Sequence, residues 1–186
     1  MKRWITVLLF ALILSGCSDE TALINRAVNL RNAMLSSNSY SFDATITADY
    51  GDTLHEFEIK CQFDTNQNMI LTVIKPDSIS GITGKITGET GQLTFDDQAL
   101  MFEMIADGQI APICAPWLLV KALCSGYISS CGEYDGGLCI KIDDTFRDAE
   151  FCVEIWTGEE NLPIRGEIIW QGRRILSVGI DNFVIV

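Results

Sequence analysis

Residues 40–50 alternate without a break. Tyr40, Phe42, Ala44, Ile46, Ala48 and Tyr50 are apolar, and Ser41, Asp43, Thr45, Thr47 and Asp49 between them are polar. A period of two predicts a strand with one buried face and one wet face. Gly51-Asp52 turns the chain. His55, Phe57, Ile59, Cys61 and Phe63 then alternate with Glu56, Glu58, Lys60 and Gln62. After a turn at 64–67, Met69–Lys75 is a third strand, stopped by Pro76. Ile79–Thr87, Gln92–Asp96 and Ala99–Ile105 continue an antiparallel meander. The pattern pauses and resumes at Tyr127–Tyr134, Leu138–Ile142, Glu150–Trp156, Ile164–Trp170 and Arg173–Ile185. That makes about eleven strands, with Asp135-Gly136-Gly137 and Gln171-Gly172 as tight-turn signals.

Two segments follow the helical period instead. Leu23, Ala27, Leu30, Met34 and Leu35 line one face of a helix ahead of the first strand, and Asn25, Arg26, Asn29, Arg31 and Asn32 fill the other. The second helix interrupts the strands at Trp117–Cys124. Pro116 suits its first turn and Gly126 its stop. It is apolar nearly all round, so it is buried or lies against something greasy.

About eleven antiparallel strands accumulate too much twist to stay flat. Two short helices cannot cover the whole apolar face of such a sheet. The expected fold is therefore mainly β with α: a curled antiparallel sheet, an incomplete barrel around an N-terminal helix and an inserted helix. Its inner side carries Phe42, Phe57, Leu71, Phe102, Met104 and Trp170, with Trp117 and Leu118 on the inserted helix. These residues either form an ordinary core with the helices or line a cavity for an apolar ligand.

The N-terminus changes the picture. Lys2 and Arg3 precede an apolar run, Trp4–Leu14, too short to span a bilayer, which needs about 20 residues. Leu14-Ser15-Gly16-Cys17 follows and resembles the bacterial lipobox, in which the cysteine is lipidated and becomes the mature N-terminus. The expected division is a lipoprotein signal peptide at 1–16 and a single half-barrel domain at 17–186. The alternative is a plain signal peptide with an incidental cysteine. Removing 1–16 deletes two cations and takes the formal charge from −12 to −14. So acidic a chain is no nucleic-acid binder, and charge alone cannot hold it to an anionic membrane. Anchoring falls to the lipid on Cys17, on the extracytoplasmic face of a bacterial membrane. The tether between Cys17 and the first helix is very short, which suits work at that same membrane.

Lipobox, leading helix, strand meander and inserted helix together resemble the LolA/LolB-type fold of bacterial lipoproteins and the LppX-like lipid carriers. The stretch Val73-Ile74-Lys75-Pro76-Asp77-Ser78-Ile79-Ser80-Gly81-Ile82, followed by Gly84, resembles clostridial germination lipoproteins of the GerS-like kind. The resemblance is specific as architecture and weak as motif. It implies binding of lipid or lipoprotein acyl chains in the hollow or, in the germination branch, partnership with a cell-wall amidase. The chain departs from soluble LolA in its anchor. An equivalent of LolB's exposed apolar loop is not placed.

Six further cysteines remain: Cys61, Cys114, Cys124, Cys131, Cys139 and Cys152. A hairpin centred between Thr145 and Phe146 would oppose Cys139 and Cys152 on the polar face, at disulfide distance. No C-x₂-C spacing supports zinc, and no metal or cofactor is expected. His55 lacks a nucleophile at motif spacing and sits beside a turn. Asp96-Asp97, Asp143-Asp144 and Glu159-Glu160 read as solvated turns, with neither the spacing of a calcium loop nor that of a glycosidase pair. Gly81–Gly91 lacks the Lys-Ser/Thr of a phosphate loop.

The expected function is therefore non-enzymatic binding of an apolar ligand on the concave face. The alternative is a module docking a cell-wall hydrolase in sporulation or germination. An enzyme acting on lipid or glycan is a third and weaker reading.

Overall fold

The computed structural model describes residues 18–49, 51, 53–88, 90–106, 109–146 and 149–186. The leader and the lipobox with Cys17 lie outside the described residues.

Helix α1 (Ser18–Ser36) leads into strands β1 (Ser39–Asp49), β2 (Leu54–Asp64), β3 (Met69–Lys75), β4 (Thr83–Thr87), β5 (Thr90–Phe95) and β6 (Gln98–Glu103). A small hairpin, β7 (Ile105–Ala106) and β8 (Gln109–Ile110), leads through a 3₁₀ turn at Pro112–Cys114 into helix α2 (Ala115–Ser125). Strands β9 (Tyr127–Tyr134), β10 (Gly137–Phe146), β11 (Ala149–Thr157), β12 (Pro163–Trp170) and β13 (Arg173–Ile185) complete the chain. Eleven strands form one open antiparallel sheet in the order β6-β5-β4-β3-β2-β1-β13-β12-β11-β10-β9. The expected curled sheet with two helices is what the chain builds.

Neighbours in sequence are neighbours in the sheet except at its middle. There β1 pairs with β13, with Tyr40 opposite Ile185 and Ala48 opposite Leu176. The edges are β6 and β9, and the segment carrying α2 runs from one to the other.

Alternation settles which face is buried. In β1 the exposure alternates at every position, with Tyr40, Phe42, Ala44, Ile46 and Ala48 buried. Each such side chain removed from water contributes roughly 1.5–3 kcal/mol when large. Nine of the eleven residues of α2 are buried, consistent with its all-round apolar pattern. Helix α1 buries Ala27, Leu30 and Met34, an i, i+3, i+7 stripe.

Three local expectations are corrected. Asp77–Ile79 is a 3₁₀ turn, closed by the Ile79 N–H donating to Pro76 O at 3.0 Å, and the strand begins at Thr83. Strand β6 ends at Glu103, and Ile105 pairs in the small hairpin. The third concerns the cysteine pair. Strands β10 and β11 extend to Phe146 and from Ala149, so their hairpin is tighter than the expected loop. Cys139 then opposes Trp156, and Cys152 opposes Asp143. Each is four positions from the other's partner, about 13 Å along a strand and beyond disulfide reach. Both do lie on the outer face, and all six described cysteines are free thiols.

Candidate functional site

The eight residues expected to face a ligand divide by burial. Phe42, Leu71, Met104, Trp117 and Leu118 are fully buried. Phe57, Phe102 and Trp170 are half-buried and pack against the same core. Phe42 stacks on Phe63 and Phe183, with ring centroids 5.6 and 5.2 Å apart, and Tyr40 stacks on Phe63 at 4.9 Å. These rings are core contacts.

Helix α2 occupies the hollow over β10–β13, and the 3₁₀ turn before it reaches β1. The void left among Met34, Phe42, Leu119, Leu123, Ile155 and Phe183 is about 10 Å³, room for about one water. Ligand pockets usually run to about 300–1,000 Å³. The helix is held by polar tethers at both ends. Trp117 Nε1 donates to Gln67 O at 3.0 Å, in the β2–β3 turn. At the other end the Arg31 guanidinium of α1 donates through Nε to Leu123 O at 2.6 Å and through Nη2 to Gly126 O at 2.8 Å. A cation there satisfies carbonyls that the helix end leaves orphaned and suits its negative dipole. Lys121 Nζ reaches Asp144 Oδ2 at 2.8 Å, joining the middle of α2 to β10.

The far side of the same concave face is finished differently. Gly84 lies between Leu71 and Leu93, Leu93 opposite Leu100, and Gly91 opposite Phe102. By this register Leu93, Phe95, Leu100 and Phe102 share the face of the buried Leu71. Phe95 is 53% exposed and Leu100 65%. A Cβ at Gly84 would sit 2.9 Å from Leu93 Cδ2, and one at Gly91 would enter the Phe102 ring. The two glycines let these side chains lie flat on the sheet. Leu93, Phe95 and Leu100 were not singled out in the sequence, although the period-two pattern at 91–95 and 98–102 carries them.

The titratable groups have structural roles. Burial raises the Cys61 thiol, pushes Cys114 up to about 12 and Cys124 up to about 11, and raises Cys131, Cys139 and Cys152. At neutral pH these are thiols rather than nucleophilic thiolates. On the outer face the buried Glu167 carboxylate accepts from Arg165 and, at 3.0 Å, from Arg174 Nη1. Arg165 lies 4.9 Å over the Trp156 ring. His55 is exposed on β2, 6.5 Å from the Phe57 ring. Among the described residues no group of three or more His, Cys, Asp or Glu is placed to hold a metal ion. None of the described helices is long and apolar enough to cross a membrane.

Neither a protein-family model nor a characterised relative matches the chain. Solved structures do. A DUF1329 family protein from Desulfovibrio piger superposes with a TM-score of 0.51 at 9% identity, covering 89% of this chain and 92% of that one. A LolA superfamily protein from Nitrosomonas europaea gives 0.46 at 10% identity, covering 88% and 93%. Lipoprotein LppX from Mycobacterium tuberculosis gives 0.45 at 14% identity, covering 89% and 96%. At these identities the likeness is one of fold alone: an open antiparallel half-barrel.

Proposed function

We propose that this chain is a non-enzymatic binding protein on the extracytoplasmic face of a bacterial membrane. Its signal peptide is removed and the single half-barrel domain that remains is anchored through lipidated Cys17. It takes the acyl part of a lipid or lipoprotein on the uncovered concave wall. The observation that carries this reading is the group Leu93, Phe95, Leu100 and Phe102, which is apolar, shares one face and lies in part open to water. Phe57 and Trp170 are half-buried on the same side of the sheet. A ligand here rests in an open trough and is not enclosed, because α2 fills the hollow. Full chain freed of lipid should take up dansyl-undecanoic acid with a blue-shifted emission, and Leu100→Lys should abolish the uptake. Absence of uptake by the unaltered chain would remove the reading. The anchor is tested separately: Cys17→Ala should move the protein from the membrane to the soluble fraction.

The filled hollow favours a second reading. A half-barrel plugged by its own helix serves as a rigid module for a protein partner, and the germination-lipoprotein likeness of 73–84 makes a cell-wall amidase the class to test. Co-purification of such a hydrolase from a detergent extract supports it.

A further inference from the structure

The two sheet edges are not equally protected. Natural proteins guard an edge with a covering helix, a bulge, an edge lysine or a proline. Strand β9 has two of these: α1 packs against it, and its pairing with β10 carries a register shift at Lys141/Ile142. Strand β6 has none. It pairs with β5 without a break from Thr90–Glu103 to Phe95–Gln98. Its sequence, Gln-Ala-Leu-Met-Phe-Glu, contains no Lys and no Pro. Leu100 on the concave side and Met101 on the outer side are 65% and 61% exposed. The backbone groups on its free side form a row to which a further strand can pair.

Charge selects the occupant. The hairpin Thr90–Glu103 carries Asp96, Asp97 and Glu103 and no Lys or Arg, within a chain of formal charge −12. A second copy pairing symmetrically about Leu100 would set Glu103 of one copy opposite Asp97 of the other. Like charges set opposite each other destabilise such a pair. A strand with cationic ends meets the opposite situation.

We infer that β6 is a docking edge for an extended segment of a partner protein, apolar at alternate positions and flanked by Lys or Arg. The segment adds as a strand beside β6, places its apolar row beside Met101 on the outer face, and sets its cations near Asp96 and Asp97. This deepens the partner reading and rests on it; it does not depend on acyl binding.

The test uses full chain and a labelled, end-capped peptide, Lys-Val-Thr-Val-Thr-Val-Lys, followed by fluorescence anisotropy. The peptide should bind, and its Glu-ended counterpart should bind at least about tenfold more weakly. Asp96→Asn with Asp97→Asn keeps the turn and should narrow that gap. Met101→Lys points away from the concave wall. It should weaken the peptide at least about tenfold while leaving dansyl-undecanoic acid uptake unchanged. A ¹³C-carbonyl-labelled peptide should show an antiparallel-sheet infrared band when bound. Equal binding of the Glu-ended peptide, indifference to Met101→Lys, absence of the sheet band or a dimer in sedimentation would each overturn the proposal. If no peptide binds while a cell-wall hydrolase still co-purifies, edge docking falls and the partner reading stands.

Discussion

The two flanks of the sheet are made from the same kind of alternating strand and end in different states. On the β9 flank both helices lie close, Leu138, Ile140, Ile142, Phe151, Val153 and Ile155 are buried, and Arg31 ties one helix to the other. On the β5–β6 flank the same inward positions stay wet at Phe95 and Leu100. The difference is one of coverage rather than composition. Apolar periodicity decides which face turns inward, and what lies on that face decides whether it becomes core or a binding surface.

Core truncation should split the flanks most widely. Leu123→Ala, on the buried side of α2, is expected to cost about 2–5 kcal/mol in chemical denaturation, whereas Leu100→Ala should stay within about 0.5 kcal/mol. Equal costs would mean that the β6 flank is covered in solution.

Removing the tether comes next. Arg31→Ala leaves Leu123 O and Gly126 O without their donor and should cost roughly 1–3 kcal/mol. Arg31→Lys should recover part of this, since one ammonium cannot reproduce the forked guanidinium contact.

Gly91→Ala probes the other flank. The Phe102 ring must leave the sheet, for about 1–3 kcal/mol, and dansyl-undecanoic acid uptake should change with it. Unchanged uptake would show that Phe102 is no part of the trough.

The smallest effect is expected at alkaline pH. The Cys114 thiol, raised by burial from 9.0 to about 12, ionises first in the unfolded chain. Its stabilising contribution is complete below about pH 9 and is lost as pH rises toward 12. The stability difference between the unaltered chain and Cys114→Ala should therefore shrink across that window.

Much of this was legible in the residues. Period two gave the location of all eleven strands of the main sheet, and Pro116 with Gly126 bracketed α2 to within a residue or two. The β1–β13 pairing was not legible, because alternation defines faces and carries no information on which strand lies beside which. The hairpin of β10 and β11 failed for a related reason. Its polar run Asp143-Asp144-Thr145 looks like loop, yet it continues the strand, with Asp143 on the outer face and Asp144 turned inward to Lys121 of α2. For the site, five of the eight named residues are core. Aromatic character marks the inner face, whereas exposure depends on where α2 comes to rest.

The central seam has a consequence in time. Strand β1 is the first of the described strands to emerge during synthesis, and its partner β13 is the last of them. Until β13 arrives, the meander β1–β6 has a second open edge, at the row Tyr40–Ala48 that later meets Leu176–Ile185. Contacts so distant along the chain form late and slow folding. Were the chain exported as proposed, that delay would keep the sheet unfinished until the whole of it had passed.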